Sequence, residues 1–360
     1  MCYISEQGSS LYCEQQVISF RPPKQESYKI KGTQPRNSNE SFSCKVDIDF
    51  PYFSNINFMK WISFSCYNLT KEKKKSIICL YIRNNSITNN EDANTMIYSH
   101  SNSTDLGLIF PMLIDFSVQF KCNVIAYDYS GYGKSTDKPK LENLTYSIDT
   151  VIEFSLNELK IPIESIFLFG RDLGAIPSCY ISTKNIFSKM KGMILLSPLF
   201  GDAISQRTLK EIKIPVFVIH GNKDYSFSHI LLAELCKNIK NEVDWFPKAE
   251  NADIIVVNNR RKFLCKIKKF LAQIKGLHSK SFVLSSSISN ESLTTSDVSD
   301  SLMNVRNESL NKSSSKEIED SRVSQNASKF DCTMNMGNGN SKFLEYDDDE
   351  EEEESDNDSN

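Results

Sequence analysis

Between residues 41 and 275, short apolar runs rich in β-branched and aromatic residues alternate with amphipathic stretches at helical spacing. Strands separated by helices of this length pair in parallel through right-handed crossovers, so the pattern predicts an α/β fold with a mostly parallel sheet and helices on both faces. The first runs have no helix between them, which predicts an antiparallel edge. We expect strands at 45–50, 61–66, 76–82, 95–99, 123–127, 165–169, 192–196, 215–220 and 243–246. We expect helices around 105–118, 145–158, 173–184, 228–240 and 254–275.

Both ends of the chain differ from this alternating part. Residues 1–40 are polar and are predicted to be an irregular lead-in to the 41–275 domain. Residues 276–360 are rich in Ser, Asn and acid, and carry 7 Lys/Arg against 19 Asp/Glu, a net charge of −12 that leaves +8 for the rest of the chain. Such a composition cannot bury enough apolar surface to offset its ordering entropy, so it predicts a disordered acidic tail.

The cysteines and the first residues bear on the compartment. Ten cysteines occur without a C-x-x-C pair, which predicts reduced thiols in a reducing, cytoplasmic setting and no zinc site; no cofactor motif is expected either. The first twenty residues lack the basic start and apolar run of a secretory signal. No stretch reaches the 18 or so consecutive apolar residues that span a bilayer. We therefore expect a protein that is soluble or peripheral to membranes.

The segment after the predicted strand at 165–169 reads Gly170-Arg171-Asp172-Leu173-Gly174. It has the frame Gly-x-Ser-x-Gly, in which a strand turns sharply into a helix and exposes the middle residue above the sheet, with Asp172 in place of the serine. Three interpretations remain open. Asp172 can tolerate left-handed backbone and cap the following helix, it can act as a nucleophile that forms an ester, or it can hold a ligand or a turn.

Polar turns are expected after several other strands. They read His-Ser-Asn-Ser at 100–103, Tyr-Asp-Tyr-Ser-Gly-Tyr-Gly at 127–133, Ser-Pro-Leu at 197–199 and His-Gly-x-x-Asp at 220–224. Together with the 170–174 segment and a Phe-x-Pro-Pro lead-in at 20–23, these motifs make residues 43–272 resemble α/β-hydrolase-domain serine hydrolases, in particular the branch that removes palmitate from membrane-associated proteins. The resemblance implies the α/β-hydrolase fold.

The same resemblance assigns the site residues. The nucleophile position falls on Asp172, the acid on Asp224 and the histidine on Asn251. The oxyanion hole is expected from Asn102, Ser103 and the Leu173 backbone, and the elbow from Gly170 and Gly174.

Three departures from the family pattern meet in this pocket: both reactive residues are replaced, the usual His-Gly-Asn turn reads His-Ser-Asn, and the covering segment between 198 and 215 is short. Losing the serine or the histidine lowers turnover by about a million-fold in well-studied hydrolases. His229 is the only histidine near the acid loop, but it lies on the wrong segment to replace the base. The departures therefore predict an inactive site.

Three classes of function are compatible with these residues. The first is a non-catalytic hydrolase-fold protein with a binding or scaffolding role, in which a vestigial pocket could hold an acyl chain or a small molecule. The second is a hydrolase of acyl esters or thioesters that uses an atypical Asp172 site. The third is an interaction protein that acts through its acidic tail. The sequence does not decide among them, nor does it give the oligomeric state.

Basic residues suggest one further partner. Lys71–Lys75 and the cluster of Arg260, Arg261, Lys262, Lys266, Lys268 and Lys269 could contact an anionic membrane surface, although a helix packed on the sheet with a solvated basic face is the simpler interpretation. Cys2 and Cys13 could be acylated. The Gly-Tyr-Gly-Lys-Ser run at 131–135 lacks the four-residue gap of a phosphate-binding loop, and no nucleic-acid partner is expected.

Overall fold

The computed structural model describes residues 18–34, 42–50, 61–72, 75–88, 93–199, 204–221, 242–246 and 259–285; for 242–246 and 275–285 it describes the backbone only. The chain divides into two compact units, Met1–Lys312 and Ser313–Asn360. All described residues belong to the first unit.

A 10-stranded sheet forms the centre of this unit, in the order β1-β2-β3-β4-β6-β5-β7-β8-β9-β10. The pairs from β1 to β4 and the β4–β6 pair are antiparallel, whereas all pairs from β6 to β10 are parallel. The predicted sheet type and antiparallel edge are thus confirmed. The strands are β1 Lys29–Thr33, β2 Ser43–Asp49, β3 Ile62–Glu72, β4 Lys75–Asn84, β5 Thr95–Ser99, β6 Asn123–Tyr127, β7 Ile166–Arg171, β8 Gly192–Leu196, β9 Val216–Gly221 and β10 Glu242–Phe246.

Helices cover both faces of the sheet, as predicted. They are α1 Leu106–Phe120, α2 Leu141–Asn157, α3 Ala175–Thr183, α4 Gln206–Glu211 and α5 Arg260–Ser285. The core of one face joins residues of α1 and α5 to the sheet, and the core of the other joins residues of α2, α3 and α4. Every residue of β5, β6 and β8 is buried, because each lies between two helical layers.

Two boundaries of the predicted domain organisation need correction. Lys29–Thr33 forms strand β1, antiparallel to β2, within the stretch that we expected to be irregular. Its polar composition concealed it, because an edge strand with exposed faces lacks an apolar run. Helix α5 continues to Ser285 past the expected end at 275, since a single Gly276 is tolerated within a helix.

Two helices differ between the prediction and the structure. Helix α4 was not predicted; its N-cap is Ser205, whose side chain accepts a hydrogen bond from the Thr208 N–H. The helix predicted at 228–240 lies outside the described residues. The described cysteines, which are Cys44, Cys66, Cys79, Cys122, Cys179 and Cys265, carry free thiols.

Candidate functional site

The predicted elbow is formed by Asp172 between β7 and α3. Asp172 follows the last residue of β7, begins a short 3₁₀ turn and has a φ of 51°, in the left-handed region. Both glycines of the motif sit where a side chain would collide. A Cβ on Gly174 would lie 2.0 Å from the Ser99 carbonyl oxygen, and one on Gly170 would lie 2.6 Å from the carbonyl oxygen of Gly174. The chain therefore makes the sharp strand-to-helix turn that presents an apex residue at the carboxyl edge of the sheet.

The carboxylate of Asp172 binds the turn after β5. Its Oδ2 accepts a hydrogen bond of 2.9 Å from the backbone N–H of Asn102, and its backbone carbonyl accepts one of 3.0 Å from the Leu199 N–H. The residue directly before α3 is Gly174, which has no side chain to cap the helix. The Asp172 carboxylate is directed toward a neighbouring strand end.

The side chain of Asn102 faces the N-terminal lead-in. Its Nδ2 donates to the Ser19 carbonyl at 2.7 Å, and its Oδ1 accepts from the Arg21 N–H at 2.8 Å and from the Tyr132 hydroxyl at 2.7 Å. Asn102 thus contacts the apex carboxylate through its backbone and the lead-in through its amide.

The other predicted site residues divide into two groups. Leu173 is buried directly after the apex, and Ser103 is exposed in the turn that holds Asn102. The structure brings the Asn102 turn to the elbow, where two of the expected oxyanion-hole residues flank Asp172. Asp224 and Asn251, the acid and base positions, lie outside the described residues, and so does His229.

His100 is the buried first residue of the turn that carries Asn102. It is fully buried, its Nδ1 lies 2.8 Å from the Ser101 carbonyl oxygen and its Nε2 lies 3.5 Å from Oδ1 of Asp128. Burial lowers the pKa of His100 to about 4, so the imidazole is neutral at physiological pH. The Tyr129 hydroxyl donates to the His100 carbonyl at 2.6 Å. These contacts hold His100 in the turn that carries Asn102.

Asp128 joins the lead-in to the site, a role that sequence reasoning missed. The Tyr28 hydroxyl donates to its Oδ2 at 2.5 Å, and the Leu106 N–H donates to its Oδ1 at 3.0 Å. Burial raises the pKa of the Asp128 carboxyl well above its ordinary value. A Cβ on Gly133, whose φ is 49°, would lie 2.0 Å from Oδ2, which explains the glycine in this turn. A carboxylate flanked by tyrosines was the only signal available in the sequence.

Arg171 places a buried cation beside the apex. Its side chain hydrogen-bonds Tyr98, and its Nη1 lies 3.9 Å from the Met112 sulfur. Arg171 was not predicted as a site residue, because an arginine at the end of an apolar strand is not part of a specific motif.

Among the described residues, no group of three or more His, Cys, Asp or Glu side chains lies close enough together to hold a metal ion. Within the same ranges, no helix combines the length and apolar character needed to cross a bilayer.

Comparison with known proteins gives alpha/beta hydrolase domain-containing relatives. The chain is 32% identical over 179 residues to the alpha/beta hydrolase domain-containing protein aho-3 of Caenorhabditis elegans, a match that covers 44% of this chain and 53% of the relative. It is 27% identical over 229 residues to human alpha/beta hydrolase domain-containing protein 17B, covering 58% of this chain and 75% of that protein. The match therefore spans only about half of the nematode relative's length. No protein-family model matches the chain.

Solved structures of esterases are also similar, with TM-scores below 0.5. Esterase Pf2001 of Pyrococcus furiosus has a TM-score of 0.49 at 16% identity, over 60% of this chain and 92% of its own. Est1E of Butyrivibrio proteoclasticus has a TM-score of 0.46 at 13% identity, over 56% and 96%. The fold assignment rests on the strand order and the elbow rather than on these values. With those features in place, the chain has the α/β-hydrolase fold that its motifs predicted, and it is similar in sequence to alpha/beta hydrolase domain-containing proteins.

Proposed function

We propose that this protein has lost hydrolysis of acyl esters and thioesters and acts as a binding or scaffolding protein on the α/β-hydrolase fold. The hydrogen bond from the Asn102 N–H to the Asp172 carboxylate carries the proposal. In an active site of this kind, backbone donors must lie about 2.7–3.1 Å from the oxyanion that develops in the transition state. Here one expected donor already serves a carboxylate, whose charge would also repel that oxyanion.

The size of these effects supports a loss rather than a decrease of activity. Removing one oxyanion donor costs about 10²–10³ in turnover. Replacing a triad nucleophile or base costs about a million-fold, which is on the order of 8 kcal/mol of transition-state stabilisation. Asp172 and Asn251 occupy both of those positions by the family resemblance. The donor, nucleophile and base changes all act on the same reaction.

The test is an activity assay with the full chain. We expect no labelling by a fluorophosphonate and no turnover of short-chain acyl esters or an acyl thioester. The double variant Asp172→Ser with Asn251→His should gain slow esterase activity and labelling at residue 172, because the serine leaves the Asn102 N–H available. Asp172→Ser alone is the intermediate case, and should be labelled weakly or not at all without a base.

A matched control uses a second aspartate with left-handed backbone. Asp137 has a φ of 74° and is exposed away from the elbow, so Asp137→Asn should leave every readout unchanged. Turnover by the wild-type chain that Asp172→Asn abolishes and Asp137→Asn leaves intact would contradict the proposal. That result would establish the atypical Asp172 hydrolase instead.

We also propose a peripheral position at an anionic membrane surface, reached through the outer face of α5. Arg261, Lys262 and Lys269 are exposed on this helix, opposite the buried Phe263 and Ile267. Its 26 residues include no Asp or Glu. Each Lys or Arg near an anionic bilayer contributes about 1 kcal/mol to the free energy of binding, which supports this contact.

A further inference from the structure

Residues 18–21 pack on the domain without belonging to a helix or strand. Ile18 and Phe20 are half-buried and pack against the core of the α2–α4 face, whereas Ser19 and Arg21 are exposed. Alternation with a period of two is typical of a chain that lies on a surface as a strand does. No strand of the sheet pairs with this segment among the described residues.

The side chain of Asn102 hydrogen-bonds only backbone atoms of this segment. Its amide donates to the carbonyl of Ser19 and accepts from the N–H of Arg21, two residues further on. In a parallel pair of strands, one residue bonds a carbonyl and an N–H of its partner that lie two residues apart in the same way. The contact therefore recognises extended backbone and reads neither the Ser19 nor the Arg21 side chain.

We propose that the surface beside Asn102 and Tyr132, the groove of this site, is a binding site for an extended peptide with apolar residues at alternate positions, and that residues 18–21 occupy it in cis. Selectivity comes from the two apolar positions filled by Ile18 and Phe20. Orientation comes from the Asn102 amide, whose Oδ1 is fixed by the Tyr132 hydroxyl at 2.7 Å. The site is independent of catalysis and goes beyond the proposed loss of hydrolysis.

The geometry also assigns Asp172 a positioning role in this site. The Asn102 backbone N–H is bound to the Asp172 carboxylate, so the turn that presents the amide is tied to the elbow. A tethered segment is present at millimolar effective concentration. A peptide in trans must therefore compete with the chain's own segment, and weakening that segment should open the groove.

The first test is hydrogen exchange on the wild-type full chain. The Arg21 amide should be protected, and Asn102→Ala should speed its exchange by about ten-fold or more, since about 1.4 kcal/mol corresponds to a factor of ten. The Gln34 amide, which donates to the Lys45 carbonyl in the sheet, is the internal control and should not change. An unprotected Arg21 amide in the wild type would overturn the proposal.

The second test places the peptide in trans. A fluorescent peptide of residues 18–23 is titrated into the full-length Ile18→Ser/Phe20→Ser variant, whose own segment is weakened while Asn102 is kept. We expect saturable binding, weaker by at least ten-fold when Asn102→Ala is added and abolished when the peptide itself carries serine at both apolar positions. Absence of binding, or equal binding with and without Asn102, overturns the site; neither result bears on the loss of hydrolysis.

Discussion

At the scale of single residues, the elbow depends on two missing β-carbons and one left-handed aspartate. Gly170 and Gly174 let β7 and the following turn approach each other and the end of β5. Asp172 adopts a φ of 51°, which Asp tolerates better than most residues. The left-handed backbone and the approach of Gly170 to Gly174 are local, which is why the sequence alone located the turn; the approach of Gly174 to Ser99 depends on the sheet order.

Gly174→Ala should destabilise the fold strongly. The new Cβ would lie 2.0 Å from the backbone oxygen of Ser99, and a strand end cannot move away as a flexible side chain can. We expect the free energy of unfolding to fall by about 3 kcal/mol or more, the upper range of overpacking. The matched control is Gly32→Ala, whose Cβ would meet only the Asp47 carboxylate at 3.5 Å and should change stability by less than about 1 kcal/mol. Urea unfolding that gives equal midpoints for both variants would contradict this account.

Stability should depend on pH through His100. Its pKa is about 4 in the folded protein and 6.5 in the unfolded chain, so between these values only the unfolded state takes up the proton. The free energy of unfolding therefore falls as pH decreases through this window, by about 1.4 kcal/mol per pH unit and about 3 kcal/mol in total. Above pH 6.5 this contribution is constant.

His100→Gln removes that titration and provides the comparison. Asp128, 3.5 Å away, has a raised pKa and opposes the trend, but it is present in both proteins. The stability difference between wild type and variant should shrink by about 3 kcal/mol from pH 7 to pH 4. Urea unfolding at several pH values measures it, and parallel stability profiles would show that His100 does not carry the dependence.

The direction of the Asp172 side chain could not be predicted from the sequence. The left-handed position and the helix after it favour capping, yet the carboxylate binds the N–H of Asn102, 70 residues earlier in the chain. Local propensity fixes the backbone of a turn, whereas the partner of its side chain depends on which strand end the sheet order brings beside it. Tyr28 and Asp128, 100 residues apart, escaped prediction for the same reason.

At the scale of elements, burial decided which strands could be located. The strands at 95–99, 123–127 and 192–196 were predicted residue for residue, because they are buried on both faces and are mostly apolar. Strand β1 is a short polar edge, and its pairing depends on β2 rather than on its own composition. Edge strands and short capped helices such as α4 carry little periodic signal.

The outer face of α5 should bind anionic vesicles. Arg261 and Lys269 lie eight residues apart on the same exposed face as Lys262, while Arg260 is paired with Asp115 of α1 at 2.6 Å. The change Arg261→Glu/Lys262→Glu/Lys269→Glu removes three attractive charges worth about 1 kcal/mol each, so binding to phosphatidylserine vesicles should weaken by about 100-fold or more.

The control for this prediction reverses three exposed lysines on the other side of the sheet. Lys138, Lys140 and Lys210 lie before α2 and on α4, whose core face is opposite to that of α5. Reversing them gives the same net charge and should leave most of the binding intact, and salt should weaken both interactions as the Debye length falls. Vesicle sedimentation that shows equal loss for the two triple variants would mean that net charge, and not this face, governs binding.

At the scale of the whole molecule, the lead-in and the hydrolase-like domain are one structure. The predicted boundary near residue 41 separates β1 from the sheet and removes three anchors of the site turns. The Ser27 N–H donates to Asp105 at 2.8 Å, Tyr28 donates to Asp128, and the Lys134 N–H donates to the Tyr28 hydroxyl at 2.9 Å. Tyr28 is itself buried beside Phe50, with ring centroids 5.7 Å apart. The domain therefore needs residues that composition alone assigned to a flexible segment.

This difference predicts how fragments will behave. A fragment of residues 18–285 should unfold cooperatively, with a free energy of unfolding close to that of the full chain. A fragment of 41–285 loses the buried Tyr28 side chain and leaves Asp128 without one of its donors, and each of these costs about 1–3 kcal/mol. Tyr28→Phe in the longer fragment keeps the ring and removes only the hydroxyl, so it should lose the hydrogen-bond part alone. Urea unfolding compares the three; if the 41–285 fragment is as stable as the 18–285 fragment, the lead-in is dispensable and the original boundary at 41 is right.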